Sequence, residues 1–340
     1  MDLVSHSPDI DLRTVAQLLR NAYGIEGALH PLPSERDQNF LVTTQTAGKF
    51  VLKIANRNET RSFLEAQNEA LIYLASQFSF SPRLIPTCAG AGVTEIESGR
   101  HDLQVRVVSY IEGEPLAKVE CQDAELLTDL GRKLGAFDRV MEEFERQAFH
   151  RDFHWDLSNG LQVLSDHAGL ITDTALRRLI ETFAKRFAAD FAPVEKDLRR
   201  SVIHGDANDY NVIVRGNRVV GLIDFGDMVH SYTVGDLAIA IAYVVTQDEP
   251  LSRATAIVSG YLKENNLNEL ELRVLWDLTL LRLCMSVCLS AYQQSMKPDN
   301  DYLSISQQSI RESLRGLMEI SSDVAAKQFQ LSSLKSGRTN

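Results

Sequence analysis

The sequence lacks the features of a secreted or membrane-spanning protein. We find no 18-residue apolar segment that predicts a membrane span, and the first 20 residues carry Asp2, Asp9 and Asp11 instead of a hydrophobic stretch. The four cysteines show neither zinc-site spacing nor the pattern of a disulfide framework. We therefore expect a cytoplasmic protein with free thiols and no membrane partner.

Clusters of basic residues are also missing. The formal net charge of -11 disfavours a nucleic-acid partner, because binding a phosphate backbone requires local positive charge. An acidic surface suits a cationic or neutral small substrate, but it also serves solubility. Its 44% hydrophobic and 24% charged residues are typical of a soluble globular enzyme.

The pattern of apolar residues predicts an α+β protein with two domains. Residues 1–110 show a helix at 12–23, β-rich runs at 40–44, 50–55 and 103–110, and one prominent helix at 62–78. Residues 111–330 are mostly helical, and they contain one predicted hairpin formed by 211–215 and 219–224. The last residues, 331–340, are rich in serine, which predicts a disordered tail.

Two short motifs carry the chemistry. Residues 204–211 read His-Gly-Asp-Ala-Asn-Asp-Tyr-Asn, and residues 223–227 read Ile-Asp-Phe-Gly-Asp. Phosphoryl transfer needs a carboxylate that accepts the proton of the attacking hydroxyl, and it needs oxygen ligands for Mg²⁺. Asp206 lies on the loop before the predicted hairpin and suits the first role. The hairpin brings Asn211 and Asp224 to the same end, where both can serve as metal ligands.

These motifs resemble the catalytic and metal loops of protein kinases. The His-Gly-Asp form is similar to that of the aminoglycoside phosphotransferase and choline kinase superfamily. The resemblance implies a bilobal protein-kinase-like fold, in which a small β-sheet lobe with one main helix precedes a larger, mostly helical lobe. It also implies that the γ-phosphate of ATP or GTP, held with Mg²⁺, moves onto a hydroxyl of a small molecule. In the resembled loop, His204 packs and hydrogen-bonds to hold the backbone.

The N-terminal half contains matching nucleotide-binding candidates. Lys53 interrupts a buried-type strand, which indicates either a partner for its ammonium group or a snorkelling lysine at the strand end. The kinase resemblance gives Lys53 the donor phosphates and a helix glutamate as partners. Glu65 is the first choice for that glutamate, with Glu69 as the alternative. The same resemblance places the Ser109 carbonyl and the Ile111 amide against the purine edge of the nucleotide.

The chain lacks a Gly-x-Gly-x-x-Gly loop, and residues 34–40 (Ser-Glu-Arg-Asp-Gln-Asn-Phe) occupy that first turn instead. They either cover the phosphates through backbone N–H groups or form a plain surface turn. No Ala-Pro-Glu segment follows residues 224–226, which disfavours a protein kinase.

A finer resemblance connects three segments to the hydroxylysine kinase group. These are residues 34–40, the stretch 150–157 (His-Arg-Asp-Phe-His-Trp-Asp-Leu) and residues 224–228. The resemblance implies the side-chain hydroxyl of an amino acid as the acceptor, with GTP favoured as donor in eukaryotic members. Trp155 and Asp156 are candidates for the substrate cleft, although an aromatic residue and a carboxylate in a loop more often serve packing and capping.

Further carboxylates adjoin the motifs. Asp209 and Asp227 are candidates for binding a substrate amine, and Asp236 is interpreted as a helix-cap residue. A kinase of the same fold for homoserine, choline or an aminoglycoside stays open. So does a catalytically inactive kinase-like binding module, although the retained catalytic and metal residues argue against it. The acceptor, the donor and the oligomeric state are not determined by the sequence.

Overall fold

The computed structural model describes residues 8–34, 36–98, 101–296 and 307–336. The chain is divided into two compact units, Met1–Glu112 and Gly113–Asn340. The first unit contains an antiparallel sheet, and the second is mostly helical. This architecture confirms the predicted α+β class.

The first unit is built on a six-stranded antiparallel sheet. Its strands pair in the order β1-β2-β3-β6-β4, with β5 beside β6. The elements in chain order are α1 (Leu12–Tyr23), β1 (Ala28–Leu32), β2 (Gln38–Thr43), β3 (Lys49–Ile54), α2 (Arg61–Gln77), β4 (Leu84–Ile85), β5 (Thr94–Ser98) and β6 (His101–Ser109).

Helix α1 has the bounds that its sequence predicts. The Asp11 carboxylate caps it by accepting from the backbone N–H groups of Arg13 and Thr14, each at 3.0 Å. Gly24 ends the helix in the left-handed conformation at φ 65°. Local capping residues therefore determine where this helix begins and ends.

The second unit contains a three-stranded sheet and a two-stranded sheet among its helices. Strand β9 lies between β10 and β7, and β11 pairs with β8. The elements in chain order are β7 (Glu114–Pro115), α3 (Ala124–Met141), α4 (Gly160–His167), α5 (Thr174–Phe191), β8 (Arg200–Ile203), β9 (Val212–Arg215), β10 (Arg218–Leu222), β11 (Val229–Tyr232), α6 (Gly235–Val244), α7 (Pro250–Tyr261), α8 (Glu269–Met296), α9 (Gln307–Glu319) and α10 (Ser322–Ser336).

Helices α3 and α7 approach each other closely through glycine. A Cβ atom on Gly131 would overlap the carbonyl oxygen of Ile257, and one on Gly260 would overlap the carbonyl oxygen of Thr128. Any side chain at either glycine would force the two helices apart. The second unit therefore depends on these two positions for its helix packing.

Helix α8 corrects the expectation that no apolar segment of membrane-spanning length exists. An 18-residue window of this helix has a mean hydropathy of 1.6, and the helix is long and apolar enough to cross a membrane. In the structure, however, 94% of that window is buried within the protein. Its thiols Cys284 and Cys288 are buried, and they lie one turn apart on this helix.

Several elements differ from those predicted, since short strands such as β8 and β11 and the helix α4 were not predicted. Strand β1 was not predicted, because Pro31 interrupts its β-pattern. The helical pattern of residues 304–326 predicts one helix, but the structure divides this stretch between α9 and α10, and residues 304–306 lie outside the described part of the chain. The tail predicted to be disordered from 331 continues α10 as far as Ser336, since α10 packs on α7 and α8 and buries Phe329. Residues 337–340 lie outside the described residues.

Candidate active site

The loop between β8 and β9 carries the His-Gly-Asp motif, and Asp236 of α6 holds it from behind. The buried Asp236 carboxylate accepts from the backbone N–H groups of His204 at 2.7 Å and Gly205 at 2.8 Å. Gly205 has a φ of 79°, and a Cβ atom there would overlap the carbonyl oxygen of Asp227. Asp236 therefore anchors the loop, which corrects its interpretation as a helix cap.

His204 is a structural residue of this loop, as predicted. Its ring is fully buried, its Nε2 contacts the Ile223 carbonyl oxygen at 3.0 Å, and its Nδ1 accepts from the Asp206 N–H at 3.2 Å. Phe225 packs edge-on against the ring with centroids 4.8 Å apart. Burial lowers the pKa of His204, which favours the neutral imidazole. The ring therefore connects the two motifs through its hydrogen bonds, and no catalytic proton transfer is assigned to it.

The Asp206 carboxylate is oriented by three side chains. Its Oδ1 accepts from Asn208 at 2.9 Å and from Arg282 at 2.6 Å, and its Oδ2 accepts from the Asn211 amide at 2.7 Å. Burial raises the pKa of Asp206 to about 8, with a lowering contribution from Arg282 and raising contributions from Asp227 and Asp224. A carboxylate held in one orientation with a pKa near neutrality suits a general base.

Asn211 and Asp224 meet at one end of the β9–β10 hairpin, as the sequence predicts. The Ile223 N–H donates to the Asn211 carbonyl oxygen at 2.9 Å, which fixes Asp224 directly beyond the last hairpin pair. The Asn211 amide nitrogen donates to the backbone oxygen of Asp206 at 2.9 Å as well as to its carboxylate. Its side-chain oxygen is therefore the atom left to face a ligand.

This donor set fits a hard divalent cation. Asp224 is exposed and has a φ of 61°, a conformation that costs an aspartate about 1–3 kcal/mol and is typical of functional loops. One carboxylate and one amide oxygen are ligands that Mg²⁺ accepts together with water and phosphate oxygens. The two residues would hold such an ion from the same end of the hairpin.

In the first unit, Lys53 lies on the central strand β3. It is buried, with 8% of its surface exposed, and it lies opposite Asn39 of β2 and Arg106 of β6. A lysine that snorkels from the end of a strand would leave its ammonium group in solvent, so the burial of Lys53 argues against that interpretation. Its contact with donor phosphates stays a prediction.

Glu65, the first choice as partner of Lys53, has a contact on its own helix. Its half-exposed carboxylate accepts from Arg61, one turn earlier on α2, at 2.8 Å, and its pairing with Lys53 stays a prediction. An i,i+4 partner on the same helix competes with a more distant lysine because it needs no tertiary approach. Glu69, the alternative, stays a candidate for Lys53 as well.

The segment that precedes the boundary between the units is anchored by backbone contacts. Ser109 ends β6, where its N–H donates to the Arg83 oxygen at 2.8 Å and its hydroxyl accepts from the Arg83 N–H at 2.9 Å. Ile111 is half-buried in the stretch that follows. Their contacts with a purine stay predictions. In the first turn, the Ser34 hydroxyl accepts from the Asp37 N–H at 3.2 Å, and Glu35 lies outside the described residues.

Comparison with known proteins decides the family. Residues 28–273 match the phosphotransferase enzyme family. The chain belongs to this family. Hydroxylysine kinase from Danio rerio is 26% identical over 347 residues, which cover 97% of each chain. Homoserine kinase from Agrobacterium fabrum is 27% identical over 243 residues, which cover 70% of this chain and 71% of that one.

A solved structure confirms the fold. Amicoumacin kinase hAmiN, in complex with AMP-PNP, Ca²⁺ and Ami, superposes with a TM-score of 0.71 at 14% identity, covering 90% of this chain and 94% of that chain. The phosphotransferase is thus a small-molecule kinase with an alcohol group as acceptor, as the sequence predicted.

Arg282 is the residue of this phosphotransferase site that sequence reasoning missed. It lies within the apolar helix α8 with 2% of its side chain exposed, and it forms the 2.6 Å ion pair with Asp206. It also donates to the Tyr243 hydroxyl and to the Trp155 carbonyl oxygen, each at 3.2 Å, and stacks on the Trp155 ring at 4.3 Å. An arginine in the run 280–289 was the available clue, because a buried guanidinium requires a partner.

The two candidate amine-binding carboxylates differ in their surroundings. The Asp209 Oδ1 is buried and has no hydrogen-bond partner among the described residues. Burial raises the pKa of Asp209 to about 6, so this carboxylate gains from any cation that reaches it. Asp227 is buried beside the metal loop, close enough to raise the pKa of Asp206.

Trp155 and Asp156 have clear structural roles in the phosphotransferase. Trp155 packs on the apolar group of Phe153, Ile203 and Val229 and carries the Arg282 guanidinium. Asp156 is buried, accepts from the Ser158 N–H at 3.0 Å and from the Ser231 hydroxyl, and caps a short 3₁₀ turn. The capping interpretation of Asp156 is the one the structure supports, because its carboxylate is committed to these contacts.

A second buried acid, Asp138 of α3, supports the loop anchor Asp236. Its Oδ2 accepts from the Tyr261 hydroxyl at 2.7 Å. Burial, followed by repulsion from Asp236, raises the pKa of Asp138 well above its ordinary value. This direction of the pKa favours the protonated form of Asp138, which can donate a hydrogen bond to the Asp236 carboxylate.

Proposed function

We propose that this kinase phosphorylates the hydroxyl group of a small cationic amine or amino acid, with 5-hydroxylysine as the first candidate. In this assignment Asp206 accepts the proton of the attacking hydroxyl. Asn208, Asn211 and Arg282 hold its carboxylate in place, so the base is oriented before substrate arrives. General-base catalysis of this kind typically contributes about a hundredfold or more to the rate.

The donor is proposed to be ATP or GTP with Mg²⁺. Asn211 and Asp224 would hold the cation, which, when bound, neutralises charge on the transferred phosphoryl group. Lys53 is proposed to bind the donor phosphates, and the segment containing Ser109 and Ile111 to bind the purine. We also propose a cytoplasmic location, with neither nucleic acid nor membrane as partner.

The observation that carries the substrate proposal is the buried, unpartnered Oδ1 of Asp209 on the catalytic loop itself. Leaving a buried carboxylate oxygen unpaired costs free energy, and a substrate ammonium group would remove that cost. Asp227 adds a second negative charge near Asp206. A cation held between these carboxylates and the base would bring its own hydroxyl toward Asp206.

Similarity over 97% of both chains to a hydroxylysine kinase supports this acceptor. The 70% coverage shared with a homoserine kinase keeps homoserine as the second candidate. Both are amino acids with a protonated amine, so Asp209 suits either of them.

The deciding experiment is a coupled assay of hydroxylysine, homoserine, choline and ethanolamine with both ATP and GTP. Asp209→Asn and Asp227→Asn should raise the KM for the amine more than the KM for the nucleotide. Asp190→Asn, on α5, is the matched control and should change neither constant. Turnover of a neutral sugar with none of the four amines accepted would refute the substrate proposal.

The role of Asp206 is tested separately. Asp206→Asn should bind nucleotide nearly as well as the wild type but lose about a hundredfold or more in kcat, because an amide cannot accept the hydroxyl proton. Full activity in the purified, folded variant would remove Asp206 from the mechanism.

A further inference from the structure

A group of metal-ligating side chains lies away from the catalytic loop and has no role in phosphoryl transfer. Glu145, which follows α3, His150, which follows a short 3₁₀ turn, and His230 of β11 offer ligand atoms that all lie within 4.8 Å of one another. We refer to these three residues as the histidine cluster.

The cluster already has a geometry close to that of a bound ion. The His150 Nε2 lies 2.6 Å from Glu145 Oε1, and the His230 Nε2 lies 3.9 Å from Glu145 Oε2. Bonds of about 2.0–2.1 Å to a tetrahedral Zn²⁺ would place neighbouring ligand atoms about 3.4 Å apart. The observed distances lie on both sides of this value, so small side-chain rotations would bring three ligands onto one ion.

Each ligand is attached to a well-packed part of the second unit. His230 is paired across the strands with Val202 of β8, and its neighbours Val229 and Ser231 are buried. The His150 backbone N–H donates to the Gln147 oxygen at 3.1 Å. These supports reduce the ordering that an ion would otherwise have to impose.

Glu145 is supported in the same way. Its neighbour Phe144 is buried, and the Arg146 guanidinium stacks on the Phe144 ring at 4.7 Å. Arg146 also donates to the Glu145 backbone oxygen at 2.7 Å. The main chain at Glu145 is thus held, while its half-exposed carboxylate stays able to turn toward the histidines.

The electrostatics favour a neutral imidazole at His230, the form that binds metal. The rings of His150 and His230 stack with centroids 4.2 Å apart, so two imidazolium charges would repel each other. Burial, then His150 and Arg200, lower the pKa of His230, while Glu145 raises it. Arg200 is a cation close to His230, and its guanidinium also forms an ion pair with Glu195 at 3.4 Å.

We infer that Glu145, His150 and His230 form a binding site for Zn²⁺ or another borderline divalent transition metal, separate from the catalytic cation site. Two imidazole nitrogens and one carboxylate oxygen select such ions over Mg²⁺, which requires oxygen ligands. The site lies beside the metal loop, because Arg151, the residue after His150, donates to the Gly226 oxygen at 2.9 Å. This inference is independent of the acceptor proposed above.

The test is calorimetric titration of tag-free, full-length protein with Zn²⁺ in the presence of excess Mg²⁺, which occupies the catalytic site. Wild type should bind one equivalent, and His150→Ala, His230→Ala and Glu145→Gln should each weaken binding by about tenfold or more. His167→Ala removes a stacked histidine elsewhere in the unit and should bind Zn²⁺ as the wild type does. Since the three ligands are on or near the surface, each variant should keep its thermal unfolding midpoint without metal.

A second measurement locates the ion. Co²⁺ in place of Zn²⁺ should give the visible absorption of a nitrogen- and oxygen-bound tetrahedral ion in wild type and in Asp224→Ala, but not in His230→Ala. Unchanged Zn²⁺ affinity in both histidine variants would overturn the inference. Loss of binding in Asp224→Ala alone would overturn it too, because the ion would then lie in the catalytic site.

Discussion

The buried ion pair between Arg282 and Asp206 makes a strong prediction about the pH dependence of catalysis. Arg282→Met keeps much of the side-chain volume but removes the guanidinium that lowers the pKa of the base. An opposite charge at this distance lowers the pKa of an aspartate by about 1–3 units. Without it, burial and the neighbouring carboxylates act unopposed, so the pKa of Asp206 should rise further.

The expected result follows from the protonation state of Asp206. A protonated carboxyl cannot accept the hydroxyl proton, so the acidic limb of the kcat/KM profile for the acceptor should move to higher pH by about 1–3 units. At pH 7 the value of kcat/KM should fall by about ten- to a thousandfold, because each pH unit of this shift corresponds to about 1.36 kcal/mol. Raising the pH should recover part of the lost rate.

The assay is a pH–rate profile for three variants. Arg282→Lys keeps a positive charge and should shift the limb less than Arg282→Met does. Arg253→Met removes another partly buried arginine, which contacts Gln122 and the Val244 oxygen and not the base, so it should leave the limb in place. An unshifted limb in folded Arg282→Met would refute the positioning role of Arg282.

Three further predictions follow from the structure. Asp224→Ala should abolish Mg²⁺-dependent nucleotide binding, because the ion loses its carboxylate ligand; calorimetry with and without Mg²⁺ would contradict this if the Mg²⁺ effect stayed unchanged. Lys53→Ala should weaken nucleotide binding. A double-mutant cycle should show coupling of Lys53 with Glu69 and additivity with Glu65. Additive losses at both glutamates would count against either contact. The pKa of Asp138 is raised on folding, so the free energy of unfolding should fall as pH rises above the unfolded-state value of about 3.9. Asp138→Asn should lessen that fall in urea titrations at pH 5 and pH 8, and an unchanged slope would show that Asp138 is not a neutral acid.

The sequence alone determined how the proposed catalytic and metal-binding residues are arranged, because their geometry is local. Asp206, Asn211 and Asp224 lie on one loop and the hairpin that follows it, and the pairing of adjacent strands brings the last two to the same end. The same local character explains why α1 was predicted with its observed bounds, since Asp11 and Gly24 are capping residues close to its apolar face.

Only the tertiary structure decided which residues support that core. Arg282 reaches Asp206 across 76 positions of sequence, and Asp236 reaches His204 across 32. Such contacts depend on how α8 and α6 pack, which no spacing within the chain specifies. Glu65 shows the opposite case, because its contact with Arg61 is made within one helix at i,i+4 spacing. The apolar run 280–289 is visible in the sequence, but only packing showed that the single buried arginine of α8 contacts Asp206.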